Sequence, residues 1–232
     1  MSFSRPLCRT ERVYLLFDEF CPGFANQFFL EGTGVLDQAK WQKAVAIASE
    51  ANPGTRLVLK GHLMFSHWVD SGVTPKVREV DGSAWDGLSP ENAPAFLTES
   101  LSPWEGPTCE VVLVHGDPLR IVFKSHHAVM DGRGTLTWLE DIIRALNGMD
   151  PLGSNSRITE LGMCKSFQKE GRTPPPMNSS RPPVCRRDRN AVWSGGASAS
   201  PDDIKISSVS WRYCWRRPPG NTATGRCALV FR

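Results

Sequence analysis

The stretch from Ser125 to Gly134, SHHAVMDGRG, brings together several side chains that can do chemistry. His126 and His127 are adjacent, Asp131 follows after a short spacer, and Gly132 comes next. An imidazole titrates at about pH 6.5, so a well-placed histidine can take up and return a proton as a general base. A carboxylate can hold a loop by accepting hydrogen bonds from a backbone N–H or an arginine, and glycine permits close turns.

The two histidines are expected to have different roles. Consecutive side chains of an extended strand point to opposite faces, so one ring should face a cleft and the other the packing behind it. The residues alone leave three interpretations open: a catalytic loop, a turn stabilised by polar groups, and a metal site that would also use His115. The metal site is the least favoured, because adjacent strand histidines diverge and a convincing third ligand is lacking.

The elements on both sides of this stretch are strongly patterned. CEVVLVH (109–115) and LRIVFKS (119–125) are apolar, β-branched runs joined by GDP, which predicts a β-hairpin. A helix is expected next, since Leu136, Leu139, Ile143 and Leu146 recur at helical spacing before Asn147-Gly148 ends the pattern. The histidines therefore lie in a turn that a strand and a helix hold at either end.

The rest of residues 1–150 alternates between strand and helix patterns. One helix is predicted to begin at Asp37, with an apolar stripe of Trp41, Ala44, Val45 and Ala48. A short helix is expected near 93–101, and strands are expected at 12–17, 27–32, 56–60, 62–69 and, at a sheet edge, 76–80. This alternation predicts an α/β fold, a two-layer sandwich of a mixed sheet and helices.

The composition changes after Asp150. Residues 151–205 are rich in Pro, Ser, Gly and Arg, which predicts a linker that buries little apolar surface. In residues 206–232, Val209, Trp211, Tyr213 and Trp215 alternate with polar residues, which is typical of a strand with one aromatic face. We interpret this last region as a crossover strand and the start of a second half.

Composition and charge exclude several classes of function. The 232 residues carry 27 Lys and Arg against 24 Asp and Glu, which is too balanced for a nucleic-acid-binding surface. The sequence has neither an apolar run long enough for a membrane span nor a signal peptide, so a cytoplasmic location is expected. The seven cysteines are odd in number and scattered, without a C-x-x-C pair that could hold zinc, which favours reduced thiols over disulfides.

The stretch HHAVMDG resembles the HHxxxDG signature of a large acyltransferase superfamily. Its members include chloramphenicol acetyltransferase, the plant BAHD acyltransferases, fungal alcohol acetyltransferases and the condensation domains of nonribosomal peptide synthetases. The resemblance covers Arg12 to Met149 and implies the N-terminal subdomain of a chloramphenicol-acetyltransferase-like fold. It implies that His127 is the general base and that Asp131 is structural, directed towards an arginine. His126 and Gly132 would be supporting residues.

The resemblance also implies substrates and partners. The acyl donor would be acyl-CoA or a phosphopantetheinyl thioester, with no bound cofactor or metal, and the acceptor a small molecule with a hydroxyl or amine. A carrier protein or a completing polypeptide would be the partner, in secondary metabolism. The second motif of the superfamily, DFGWG, does not occur between Asp131 and Arg232. The alternative hypothesis is a truncated, noncatalytic or partner-dependent half-domain.

Overall fold

The computed structural model describes residues 3–20, 23–89, 91–154, 162, 164–165, 204–213 and 228–231, the last two ranges through their backbone. All the named elements belong to one compact unit, made of Met1–Asn155 and Ala199–Arg232. A second unit, Ser156–Ser198, contributes only residues 162, 164 and 165 to the described part of the chain. The predicted linker at 151–205 therefore lies largely outside the described residues.

The described chain contains nine strands, three α-helices and three short 3-10 helices. In chain order the strands and α-helices are β1 (Ser4–Pro6), α1 (Arg9–Phe20), β2 (Ala25–Gly34), α2 (Gln38–Ala51), β3 (Leu57–Lys60), β4 (His67–Asp70), β5 (Lys76–Asp81), β6 (Cys109–His115), β7 (Leu119–His126), α3 (Gly132–Leu146), β8 (Ile204–Tyr213) and β9 (Ala228–Phe231). The 3-10 helices are Pro53–Arg56, Leu63–Phe65 and Ala95–Leu97.

Six of the strands form one mixed sheet in the order β5-β6-β7-β2-β8-β9. β5 runs parallel to β6, and every other neighbouring pair is antiparallel. β2 lies between β7 and β8, and its register with β7 places Ala25 opposite His126 and Asn26 opposite Ser125. β1, β4 and β3 form a separate three-stranded sheet.

Helices α2 and α3 cover one face of the large sheet. Trp41, Val45 and Ala48 of α2 are buried together with Trp138 and Ile142 of α3. The sheet side of this core consists of Phe28, Leu30, Val111, Leu113, Ile121 and Phe123. On the opposite face, Trp85 and Phe96 from the segment between β5 and β6 pack on Phe29, Val112, Val114 and Val122. The predicted α/β class, a layer of helices on a mixed sheet, is confirmed.

The prediction of a strand at 12–17 is wrong, because these residues belong to α1. The backbone N–H of Cys8 donates to Glu11 Oε2 at 2.8 Å, and the N–H of Glu11 donates to Cys8 Sγ at 3.5 Å. This reciprocal pair has the form of a capping box and starts the helix. Tyr14 and Leu15 then pack on a small core beneath the three-stranded sheet, whereas Phe20 is 74% exposed.

Other predicted elements are confirmed with changes of detail. Asp37 caps α2 by accepting a hydrogen bond from the Lys40 N–H at 3.1 Å, and the four predicted stripe residues are buried. In α3 the buried face is centred on Trp138 and Ile142. Leu136, which the helical pattern placed on the apolar face, is 44% exposed. The region 62–69 divides into a 3-10 helix and β4, and the predicted helix at 93–101 is the 3-10 helix Ala95–Leu97.

The hairpin of β6 and β7 and the edge position of β5 agree with the sequence analysis. The predicted aromatic strand is β8, which ends at Tyr213, so Trp215 lies outside the described residues. The proposed aromatic face of β8 stays a prediction, since only its backbone is described. Within the described ranges, no helix is both long and apolar enough to cross a membrane.

Candidate active site

The histidine stretch forms the turn between β7 and α3. His126 is the last residue of β7, and its N–H donates to the carbonyl of Thr108 at 2.8 Å. Its own carbonyl accepts from the N–H groups of Val129 and Met130 at 2.9 and 3.2 Å, which closes the turn. The loop that carries His127 is therefore tied to the sheet at its start and, through α3, at its end.

The ring of His126 is packed behind the loop and is 1% exposed. Its Nδ1 accepts a hydrogen bond from the N–H of Ala128 at 3.1 Å, so the neutral ring carries its proton on Nε2. Nε2 lies 3.4 Å from Asp18 Oδ2 and has no hydrogen-bond partner among the described residues. The contact to Ala128 makes His126 a support for the turn.

The ring of His127 packs in a cluster with two aromatic side chains, whose own centroids are 5.8 Å apart. Its centroid is 4.3 Å from that of Tyr14, at an interplanar angle of 13°, and 5.4 Å from that of Phe24. The N–H of His127 donates to the Phe24 carbonyl at 3.3 Å. Stacking on rings from α1 and from the start of β2 fixes the orientation of the imidazole.

This half-buried position lowers the pKa of His127 below its ordinary value, because burial disfavours the charged ring. The carbonyls of Met130 and of His127 itself, together with the charge of Asp131, act in the opposite direction but are weaker. His127 is therefore largely neutral at physiological pH, which is the state a general base requires.

The side chain of Asn26 lies beside the ring of His127. Its Nδ2 is 3.4 Å from Nδ1 of His127 and donates to the Met130 carbonyl at 2.8 Å.

Asp131 is the N-cap of α3. Its Oδ1 accepts from the Gly134 N–H at 2.7 Å, and its carbonyl accepts from the N–H and the Oγ1 of Thr135 at 3.0 and 2.9 Å. Among the described residues no ion pair joins Asp131 to an arginine, contrary to the expectation from the resemblance. The carboxylate instead accepts a hydrogen bond from the Gly134 N–H at the start of α3.

The two glycines after Asp131 differ in their surroundings. Gly132 is the first residue of α3, and its supporting role stays a prediction. At Gly134, an added Cβ would lie 2.5 Å from Met130 Cγ and 3.3 Å from Asp131 Oδ1. The close approach of the loop to α3 therefore requires glycine at position 134.

The metal-site interpretation receives no support from the geometry. The side chain of His115 is 45% exposed, lies at the opposite end of the β6–β7 pair and approaches Glu79 at 3.6 Å. In the described part of the chain no three potential ligands form a metal-binding group. The predicted absence of a bound metal stays a prediction.

Sequence reasoning missed the residues that surround His127. Tyr14 was assigned to a strand, and Asn26 precedes the motif by 101 positions in the chain. The available signal was the polar pair Asn26-Gln27 at the start of an apolar strand, because buried polar side chains need a specific reason.

No protein-family model and no curated protein sequence matches this chain. Solved structures do match. The condensation domain of the monacolin K polyketide synthase MokA superposes with a TM-score of 0.52 at 15% identity, over 72% of this chain and 40% of that chain. The starter condensation domain of the rhizomide synthetase RzmA matches with a TM-score of 0.54 at 15% identity, over 74% of this chain and 45% of that chain.

A third similar structure is the epimerization domain from the third module of tyrocidine synthetase B, with a TM-score of 0.53 at 16% identity over 75% of this chain and 41% of that chain. The chain thus has the fold seen in part of a condensation domain, which confirms the chloramphenicol-acetyltransferase-like architecture implied by its motif. It spans less than half the length of each of these structures.

Proposed function

We propose that this chain acts in acyl transfer from a thioester to a hydroxyl or an amine, with His127 as the general base. The observation that carries the proposal is the state of the His127 ring. It is half-buried, packs against the rings of Tyr14 and Phe24, and has its pKa lowered by burial.

The proposed reaction has two proton transfers. The neutral ring of His127 takes the proton of the acceptor hydroxyl or amine while the acceptor oxygen or nitrogen attacks the thioester carbonyl carbon. The tetrahedral intermediate then collapses, the carbon–sulfur bond breaks, and the imidazolium returns its proton to the departing thiolate. The new ester or amide and the thiol leave, and His127 is neutral again.

The donor in this proposal is acyl-CoA or a phosphopantetheinyl thioester, and the acceptor is a small molecule of secondary metabolism. One similar structure supports the class of donor: a point mutant of the RzmA starter condensation domain, in complex with C8-CoA, matches with a TM-score of 0.54 at 15% identity over 72% of this chain and 42% of that chain. A carrier protein is the corresponding protein partner. A cytoplasmic location remains part of the proposal.

The test is an assay of the full chain with acetyl- and octanoyl-CoA and a panel of alcohols and amines. Release of the CoA thiol and the mass of the product are followed in parallel. The His127→Gln variant is expected to lose about 10²- to 10⁴-fold in rate, because it lacks the base. His62→Gln, at an exposed histidine outside the site, is the matched control and should keep the full rate. Transfer at the full rate in His127→Gln would refute the mechanism.

A further inference from the structure

Asp18 lies in the last turn of α1 and approaches two residues that adjoin His127. Its Oδ1 accepts a hydrogen bond from the Phe24 N–H at 3.0 Å. Its Oδ2 lies 3.4 Å from Nε2 of His126, without a hydrogen bond between the two groups. One carboxylate of α1 therefore lies against both the residue that precedes β2 and the last residue of β7.

The local surroundings within α1 do not favour a carboxylate at this position. The C-terminal end of a helix carries a partial negative charge, which repels an acidic side chain. The last turn of α1 has no basic residue to offset this repulsion, and the side chain of Asp18 is only 15% exposed. A carboxylate that is largely removed from water needs hydrogen bonds to offset the lost hydration. The contacts outside α1, rather than the helix itself, therefore account for Asp18.

Phe24 transmits the first of these contacts to His127. Its carbonyl accepts from the His127 N–H at 3.3 Å, and its ring centroid is 5.4 Å from that of the imidazole. Phe24 precedes the paired residues of β2, which begin at Ala25. Asp18 therefore holds Phe24 at a point where the pairing of β2 with β7 has not yet begun.

His126 is the second group beside this carboxylate. Its Nδ1 accepts from the Ala128 N–H at 3.1 Å, so the proton of the neutral ring is on Nε2, the nitrogen nearest Asp18. A negative charge stabilises the positive end of a nearby N–H dipole even without a hydrogen bond, and more strongly where water is excluded. Asp18 thus favours the ring state in which His126 supports the turn.

We propose that Asp18 is a positioning residue, which holds the backbone and ring of His127 in place through Phe24 and supports the turn through His126. Only the kinetic consequence of this inference rests on the proposed function. The position of the His127 ring is a property of the folded chain and can be measured without any substrate.

Glu19 provides a matched control for Asp18. It is the next residue of α1, also carries a carboxylate and is exposed. Glu19→Ala removes a negative charge from the same turn of the helix. A general effect of losing a carboxylate from α1 would therefore appear in Asp18→Ala and Glu19→Ala alike.

The experiment is proton NMR of the full chain with its five histidines isotopically labelled, the His127 signals being assigned by their loss in His127→Gln. Ring currents of the neighbouring aromatic rings should displace the carbon-bound ring protons of His127 from the values of the exposed His62. We expect this displacement in the wild type and in Glu19→Ala, and a shift towards the His62 values in Asp18→Ala. Unchanged signals in Asp18→Ala overturn the inference, and so does an equal shift in both variants.

Asp18→Asn tests the hydrogen bond apart from the charge. The amide keeps an oxygen that can accept from the Phe24 N–H, so the His127 signals should stay close to those of the wild type. A shift as large as that of Asp18→Ala would overturn the hydrogen bond as the link to His127.

A measurement on the wild type keeps the inference testable even if Asp18→Ala does not fold. The Phe24 amide proton should exchange slowly with solvent, because it is bound to the Asp18 carboxylate. Exchange at the rate of an unprotected amide would overturn the contact on which the inference rests.

The kinetic measurement separates this inference from the proposed function. If the wild type transfers acyl groups, kcat of Asp18→Ala should fall by about tenfold with KM within about twofold, as expected for a misplaced base. Equal kcat values in Asp18→Ala and the wild type overturn the inference. If the wild type shows no transfer, the proposed function fails, while a shift of the His127 signals in Asp18→Ala alone still supports the role of Asp18.

Discussion

At the scale of single residues, the site depends on how one imidazole is surrounded. His127 packs against the rings of Tyr14 and Phe24, whereas the adjacent His126 is buried and accepts from the Ala128 N–H. Two identical side chains therefore have different environments, because His126 ends β7 whereas His127 lies in the turn that follows. The environment makes His127 the candidate base.

The pH dependence of the proposed reaction follows from the lowered pKa of His127. The rate should rise as pH increases through this pKa and then level off, because only the neutral ring is a base. The midpoint should lie below the ordinary histidine value of about 6.5. Measurement of kcat/KM between about pH 5 and pH 8 checks this, and a midpoint above the ordinary value would contradict the effect of burial.

Asp131 gives a prediction about stability. Asp131→Ala should lower the free energy of unfolding by about 1 kcal/mol, since it removes the cap that accepts from the Gly134 N–H. Asp131→Asn keeps an oxygen acceptor at the N-cap and should cost much less. Urea unfolding of both variants measures the difference, and equal losses would show that the charge, rather than the hydrogen bond, is what matters.

At the scale of elements, β7 supplies side chains to both faces of the large sheet. His126 ends the strand, and Lys124 lies on the face opposite α3, where its Nζ donates to the carbonyls of Phe96 and Glu99 at 2.7 and 2.5 Å. The same Nζ is 3.4 Å from Glu110 Oε1, and the side chain is 0% exposed. Burial lowers the pKa of Lys124, and these acceptors hold the segment between β5 and β6 against the sheet.

Removal of this amine should destabilise the fold without changing the site. Lys124→Met keeps the length of the side chain but leaves two carbonyls without their donor, at a cost of about 2 to 3 kcal/mol in the free energy of unfolding. Lys43→Met, at an exposed position on α2, is the control and should change stability by less than about 0.5 kcal/mol. Equal denaturation midpoints for the two variants would refute a structural role for Lys124.

At the scale of the whole molecule, elements distant in sequence meet at the candidate site. α1, the start of β2, the end of β7 and the turn into α3 all contribute to the surroundings of His127, although Tyr14 and His127 are far apart in the chain. The antiparallel pairing of β2 with β7 places Asn26 beside the histidine turn. The same six-stranded sheet positions Lys124 and Gln27 on its other face.

The sequence determined the features whose signals are local. The β6–β7 hairpin, the cap and buried stripe of α2, the existence of α3, the α/β class and the turn of His126, His127 and Asp131 could all be predicted, because each depends on residues within one element or one turn. α1 was mispredicted as a strand, since a short apolar run fits both structures and the Cys8–Glu11 cap was not recognised.

Only the tertiary structure decided what surrounds His127. The pairing of β2 between β7 and β8 brings Asn26 to its ring, and the packing of α1 brings Tyr14. The burial that lowers the pKa of His127 also arises from these contacts. Residue types and spacing predict a candidate base, but its basicity depends on neighbours that come together only when distant segments pack, because desolvation and hydrogen bonding act through space rather than along the chain.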